Sequence, residues 1–122
     1  MKHLIKRHTI SFQNAYHGLS WAFSTQPNYI VHLFLSIVTI LAGFYFQITE
    51  TEWLFVILTI TLGLVIEALN TAIEATTDAI DLKIRNDIKI AKDVSAAAML
   101  LYSIGAVIIA AIIFLPKIII FY

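Results

Sequence analysis

The 122-residue chain contains no cysteine, which excludes a disulfide framework and any cysteine-built zinc site. Its formal charge sums to zero, so it has no general attraction for nucleic acid, and no nucleic-acid partner is expected. Proline occurs only as Pro27 and Pro116, where a bend and a stop are expected. There is no Walker A loop and no kinase-type glycine-rich loop. The N-terminus has basic residues and then a patterned helix, without the apolar run and small-residue cleavage site of a signal peptide, so none is expected. What fills the chain is apolar: 60% of residues are hydrophobic, against roughly 45–50% in a soluble domain.

The apolar residues fall into four segments, an all-α integral membrane pattern of one surface helix and three spans with no internal repeat. In residues 1–24, Leu4, Ile5, His8, Phe12, Ala15, Tyr16, Leu19 and Phe23 recur at three- and four-residue steps, with Lys2, Lys6 and Arg7 mostly off that stripe. Basic residues opposite an aromatic-rich face suit a helix lying in the headgroup layer. Pro27 then turns the chain into the bilayer. Residues 29–48 form a first span; at 1.5 Å per residue it covers roughly 30 Å, the thickness of the hydrocarbon core. Thr49–Glu52 is read as the turn, and residues 53–80 as the second span with its cytoplasmic extension. Asp81–Ala91 is read as a polar connection, and residues 93–115 as a third span closed by Pro116. Seven of the eight Lys and Arg residues lie on one side, only Lys117 on the other. The positive-inside rule places the N-terminus in the cytoplasm and the Glu50 turn outside.

The second span carries the chemistry. Measured from Glu67, a helix places Asn70, Glu74 and Asp78 at roughly −60°, −20° and +20°, one polar stripe. Glu67 lies about 21 Å from the far interface, so the stripe begins inside the inner leaflet and ends at the headgroups. Carboxylates at that depth are costly and mark function by default. A lipid hydroxyl and a water-soluble phosphate donor could meet there. One carboxylate could accept a proton, another could hold Mg²⁺, and nearby cations could neutralise phosphate oxygens. That inventory suits phosphoryl transfer, which depends on positioning and charge stabilisation. An ion-coupled carrier and a helper subunit remain open on composition and spacing alone.

The run Glu67-Ala-Leu-Asn70-Thr71-Ala-Ile-Glu74, Asp78 four residues on, and Ala91-Lys92-Asp93 before Ser-Ala-Ala-Ala resemble the prokaryotic diacylglycerol kinase family, which includes undecaprenol kinases. The resemblance covers nearly the whole chain. It implies an ATP-dependent lipid kinase of the bacterial inner membrane, a homotrimer with cytoplasmic-side sites between protomers. The acceptor would be a membrane lipid alcohol, diacylglycerol or undecaprenol. Carried over, Glu67 matches the catalytic base and Asn70 the group that positions base and substrate. Glu74 matches the Mg²⁺–ATP ligand, and Lys92 and Asp93 the nucleotide-binding pair. Arg7, Lys83 and Arg85 fall where the family contacts ATP or lipid. A degenerate member that binds lipid without turning it over is the alternative.

One segment departs from the family pattern. A second metal-binding glutamate is usual two residues before an asparagine, ahead of the first span; here that segment reads Gln26-Pro27-Asn28. Glutamine keeps an oxygen but brings no charge, so a second Mg²⁺ should bind more weakly unless Asp78 or Asp81 compensates. Other residues have plainer readings. Asp78 could pair with Lys83 or Arg85, the four histidines are expected at interfaces, and Trp21 and Trp53 are expected as interfacial anchors.

Overall fold

The computed structural model describes the backbone of residues 2–81, 83 and 85–121, and the side chains of residues 10–81, 83 and 85–120. The described regular structure is helical: α1 Lys2–Thr25, α2 Pro27–Tyr45, α3 Glu50–Ile80 and α4 Asn86–Phe121. Among them α2, α3 and α4 are long and apolar enough to cross a membrane. The all-α membrane class expected from the sequence is the one observed.

α1 and α2 are separated by one residue. Gln26 is extended, with φ −104° and ψ 111°, the conformation a residue before proline prefers. Pro27 then opens α2 at a position where its missing N–H costs nothing. α1 meets the bundle at its C-terminal end, where Ala22 is buried and the Phe23 ring lies 4.6 Å from that of Tyr29. Upstream, Phe12 (78% exposed) and Tyr16 stand free of the protein, as the rings of an interfacial helix would.

The outer end is more ordered than a simple turn. α2 stops at Tyr45 rather than residue 48. Gln47 adopts φ 49°, and the amides of Gln47 and Ile48 donate to the carbonyls of Phe44 and Gly43 at 3.3 and 3.1 Å. This is a Schellman termination, which satisfies carbonyls the helix would otherwise strand. Thr49 then caps α3. Its hydroxyl accepts from the Glu52 amide (3.3 Å), while the Glu52 carboxylate accepts from the Thr49 amide at 2.7 Å, a reciprocal capping box. Thr49–Glu52 is therefore the first turn of a helix. The Glu52 carboxylate also meets Lys117 Nζ at 3.1 Å, tying α3 to α4.

Pro116 does not close the last helix. α4 begins at Asn86, inside the expected polar connection, and runs through Pro116 to Phe121. Proline removes one backbone hydrogen bond. The turns on either side of it are pinned to α3, by Ile113 packing with Val56 and by Lys117 Nζ on Glu52 at 3.1 Å, which holds the helix on through the proline.

α3 packs against both α2 and α4 and is the centre of the bundle. A small apolar cluster of Ile48, Val56 and Ile113 fastens the outer end. Elsewhere burial is reversed relative to a soluble protein. Leu101 and Ile112 are exposed, whereas Glu67, Asn70, Thr71, Thr77 and Ser95 are buried. Lipid would accept the first set, and the helices enclose the second. Close approach of α3 and α4 relies on Gly63, since a Cβ there would overlap the Tyr102 hydroxyl, which donates to the Thr59 carbonyl at 2.7 Å. Gly63→Ala should lower the thermal unfolding temperature in detergent, as overpacking of about 1–3 kcal/mol would. An unchanged midpoint would show that Tyr102 can move aside.

Candidate active site

The stripe expected on α3 forms, and the structure shows how it is held. Glu67 is 1% exposed, and its Oε2 has no hydrogen-bond partner among the described residues. Tyr29, the other large side chain that is fully buried, reaches the Leu64 carbonyl at 3.5 Å. This closes the α2 side of the same turn, three residues before Glu67. Leaving a buried carboxylate oxygen unpaired costs about 1–3 kcal/mol, which structural packing alone would not favour.

One turn on, Asn70 Nδ2 donates to Glu74 Oε1 at 3.2 Å, and Asn70 Oδ1 accepts from the Ser95 hydroxyl of α4 at 2.7 Å. Glu74 is half-buried, with its second carboxylate oxygen engaged by no described residue. Beside Asn70 and Ser95 a groove of about 590 Å³ opens between α3 and α4, walled by Ile66, Ile73, Ile90 and Val94. The site therefore places an unpaired carboxylate, an oriented amide and a second carboxylate along one helix face, next to an apolar slot.

The cations lie at the open end. Lys92 Nζ meets Asp78 Oδ1 at 2.5 Å, joining α4 to the last turns of α3. Asp93 turns away from Lys92 and receives Lys89 Nζ at 2.6 Å. Arg85 holds Asp87 through two contacts of 3.2 and 2.6 Å. Asp78 thus pairs with Lys92, not with Lys83 or Arg85 as the alternative reading allowed. Lys83, on the connection between α3 and α4, donates its backbone amide to Asp81 at 2.9 Å. Gln26 sits at the α1–α2 break, and its amide reaches only the Thr25 hydroxyl, at 3.5 Å. The Arg7 side chain lies outside the described residues.

The model of the prokaryotic diacylglycerol kinase family matches residues 13–114. The chain belongs to the prokaryotic diacylglycerol kinase family. A diacylglycerol kinase of Synechocystis is 36% identical over 108 residues, 88% of this chain and 62% of that protein. An undecaprenol kinase of Bacillus subtilis is 35% identical over 107 residues, 88% of this chain and 87% of that protein. The chain thus spans less than two thirds of the cyanobacterial relative and most of the bacillar one.

Within this family frame, the fit to a metal can be judged from the donor set. Among the described residues no three His, Cys, Asp or Glu side chains converge on one point. The described residues therefore form no all-protein cage of their own. That does suit Mg²⁺, which keeps several waters and binds through one or two carboxylates plus substrate phosphates. Glu74 has one oxygen held by Asn70 at 3.2 Å and the other engaged by no described residue, a donor set that would fit such a metal.

Two participants escaped the sequence reading. Ser95 enters the sequence reading only as part of the Ser-Ala-Ala-Ala run, yet its hydroxyl carries the cross-helix bond to Asn70. A signal was present: Ser95 lies three residues after Lys92, hence on the same face of α4. Tyr29 enters the sequence reading only as the start of a span, and nothing local in the sequence announces its full burial and its reach to the Leu64 carbonyl.

Proposed function

We propose that this chain is an ATP-dependent lipid kinase that transfers the γ-phosphate to the hydroxyl of a membrane lipid alcohol. The observation that carries this reading is Glu67 Oε2, buried and with no partner among the described residues, one turn before Asn70 and two before Glu74. Family membership supplies the reaction class. Glu67 takes the proton of the incoming hydroxyl, and the alkoxide oxygen attacks the γ-phosphorus as its bond to the β-bridging oxygen breaks. Asn70 keeps Glu74 in place. Mg²⁺, when bound at Glu74 with the nucleotide, would offset the charge on the phosphates. Lys92, with Arg7, Lys83, Arg85 and Asp93 around the cytoplasmic mouth, would bind the rest of ATP.

The acceptor is diacylglycerol or undecaprenol, as the relatives' names suggest, with its apolar tail along the α3–α4 groove. The orientation that puts this end of the bundle in the cytoplasm of a bacterial inner membrane follows from the distribution of Lys and Arg. A homotrimer belongs to the same proposal. Within one chain Glu67 is already closed off, whereas Glu74 is half-open and Asp78 exposed, so a neighbouring protomer would cover the nucleotide end.

The test is transfer of labelled γ-phosphate by purified protein in mixed micelles with Mg²⁺, each lipid offered separately. Label in one lipid establishes the kinase and its acceptor. Gln26→Glu should lower the Mg²⁺ concentration needed for half-maximal rate, by restoring a carboxylate at the α1–α2 break. An inactive wild type alongside an active Gln26→Glu variant would mean that Gln26 silences the site. No label from either would favour the lipid-binding alternative.

A further inference from the structure

Ser95 differs from several other helical hydroxyls of the chain. Ser36, Thr61, Thr76 and Ser103 each return their hydroxyl to the carbonyl four residues earlier in their own helix, at 2.7–2.9 Å. That is the ordinary way for such a group to be satisfied in a membrane helix. Ser95, itself buried, instead donates across the α3–α4 interface to Asn70 Oδ1 at 2.7 Å. Asn70 then has one direction left for its amide hydrogens, and they point at Glu74 Oε1, 3.2 Å away. Turned over, the amide would set its oxygen against a carboxylate oxygen, acceptor against acceptor.

We propose that Ser95 is a positioning residue for phosphoryl transfer: its hydroxyl locks the Asn70 amide so that Asn70 holds Glu74 in the orientation that receives the metal and nucleotide. The proposal rests on the lipid-kinase reading above. Ser95 borders the groove, but its hydroxyl is committed to Asn70 and is not itself a ligand of the metal in this reading. It acts through Asn70, as the outer partners of a metal ligand fix the ligand's rotamer. With the hydroxyl removed, Asn70 Oδ1 is buried without a donor, so the amide rotates to find one and Nδ2 leaves Glu74. Because Ser95 is on α4 and the stripe is on α3, the same bond makes the geometry of Glu74 depend on the spacing of the two helices. The geometry also sets the fingerprint of the role. Loss of the hydroxyl should weaken the response to metal, leave the lipid's apparent affinity in place, and be repaired by any side chain that restores a strong donor.

The experiment compares wild type with Ser95→Ala, Ser95→Cys and Ser95→Thr, as full chains in detergent. Threonine keeps the donor and can turn its extra methyl toward the adjoining groove, which Ser95 itself lines. Cysteine keeps the size but donates weakly. The readouts are kcat, the Mg²⁺ dependence of transfer, KM for lipid, the thermal midpoint, and binding of Mn²⁺ with a non-hydrolysable ATP analogue followed by electron paramagnetic resonance. Ser95→Ala and Ser95→Cys should weaken Mn²⁺ binding and the Mg²⁺ response by about 10- to 100-fold, with lipid KM close to wild type. Ser95→Thr should recover most of that loss. A fall in thermal midpoint alone, with metal binding and kcat unchanged, would overturn the proposal; so would a threonine variant as impaired as alanine. Absence of transfer by wild type would instead count against the lipid-kinase reading, and the Mn²⁺ titration would still judge whether Ser95 governs the Glu74 site.

Discussion

Glu67→Gln should abolish most phosphoryl transfer without unfolding the protein. A positioned general base contributes about 10²–10⁴ in rate, and the amide cannot accept the lipid's proton, so kcat should fall by roughly that factor. Stability should move the other way or not at all. Glu67 is 1% exposed with one oxygen unpaired, and burying a neutral amide costs less than burying a carboxylate that can ionise. A rate loss with an unchanged or higher unfolding midpoint is the behaviour of a site that gives up stability for function. The measurement is the micelle transfer assay beside thermal unfolding in the same detergent. A variant that keeps its rate would remove Glu67 from the base role. One that unfolds would show that the carboxylate is structural.

How much of this was legible in the residues depends on the range of the interaction. Placement of Glu67, Asn70 and Glu74 on one face needs only the helical period, and the structure reproduces it. The break at Gln26 follows from Pro27 alone. Pro116 carries the same local signal and produces no break, because contacts to α3 on both sides, Ile113 with Val56 and Lys117 with Glu52, hold the helix through it. Those contacts are tertiary, which a local reading does not contain. The outer turn was misplaced for a different reason: a Schellman end with a left-handed glutamine has no glycine to announce it. The cross-helix bonds were the least visible. Ser95 to Asn70 spans 25 residues and Lys92 to Asp78 spans 14, and their existence depends on the packing of α3 against α4.

That second pair separates two ways of reading the cytoplasmic mouth. Lys92 and Asp78 touch at 2.5 Å, with their side chains 38% and 50% exposed. A pair so open to water is worth about 0–1 kcal/mol, weak enough for a competing anion to displace. Asp78→Asn should therefore change KM for ATP by less than about 5-fold and barely move the unfolding midpoint. Lys92→Met should be far more damaging, because a truncated charge partner of a phosphate costs about 2–5 kcal/mol, roughly 30-fold or more in kcat/KM. Lys92→Arg should recover only part of that loss, since the planar guanidinium does not reproduce a point charge on a flexible stem. Steady-state kinetics at fixed lipid and varied ATP measures all three. Equal losses for Asp78→Asn and Lys92→Met would mean the ion pair itself is the working unit, clamping α3 to α4. The expected asymmetry would mean that Lys92 exchanges Asp78 for the phosphates of ATP, with Asp78 holding the lysine over the mouth until nucleotide arrives.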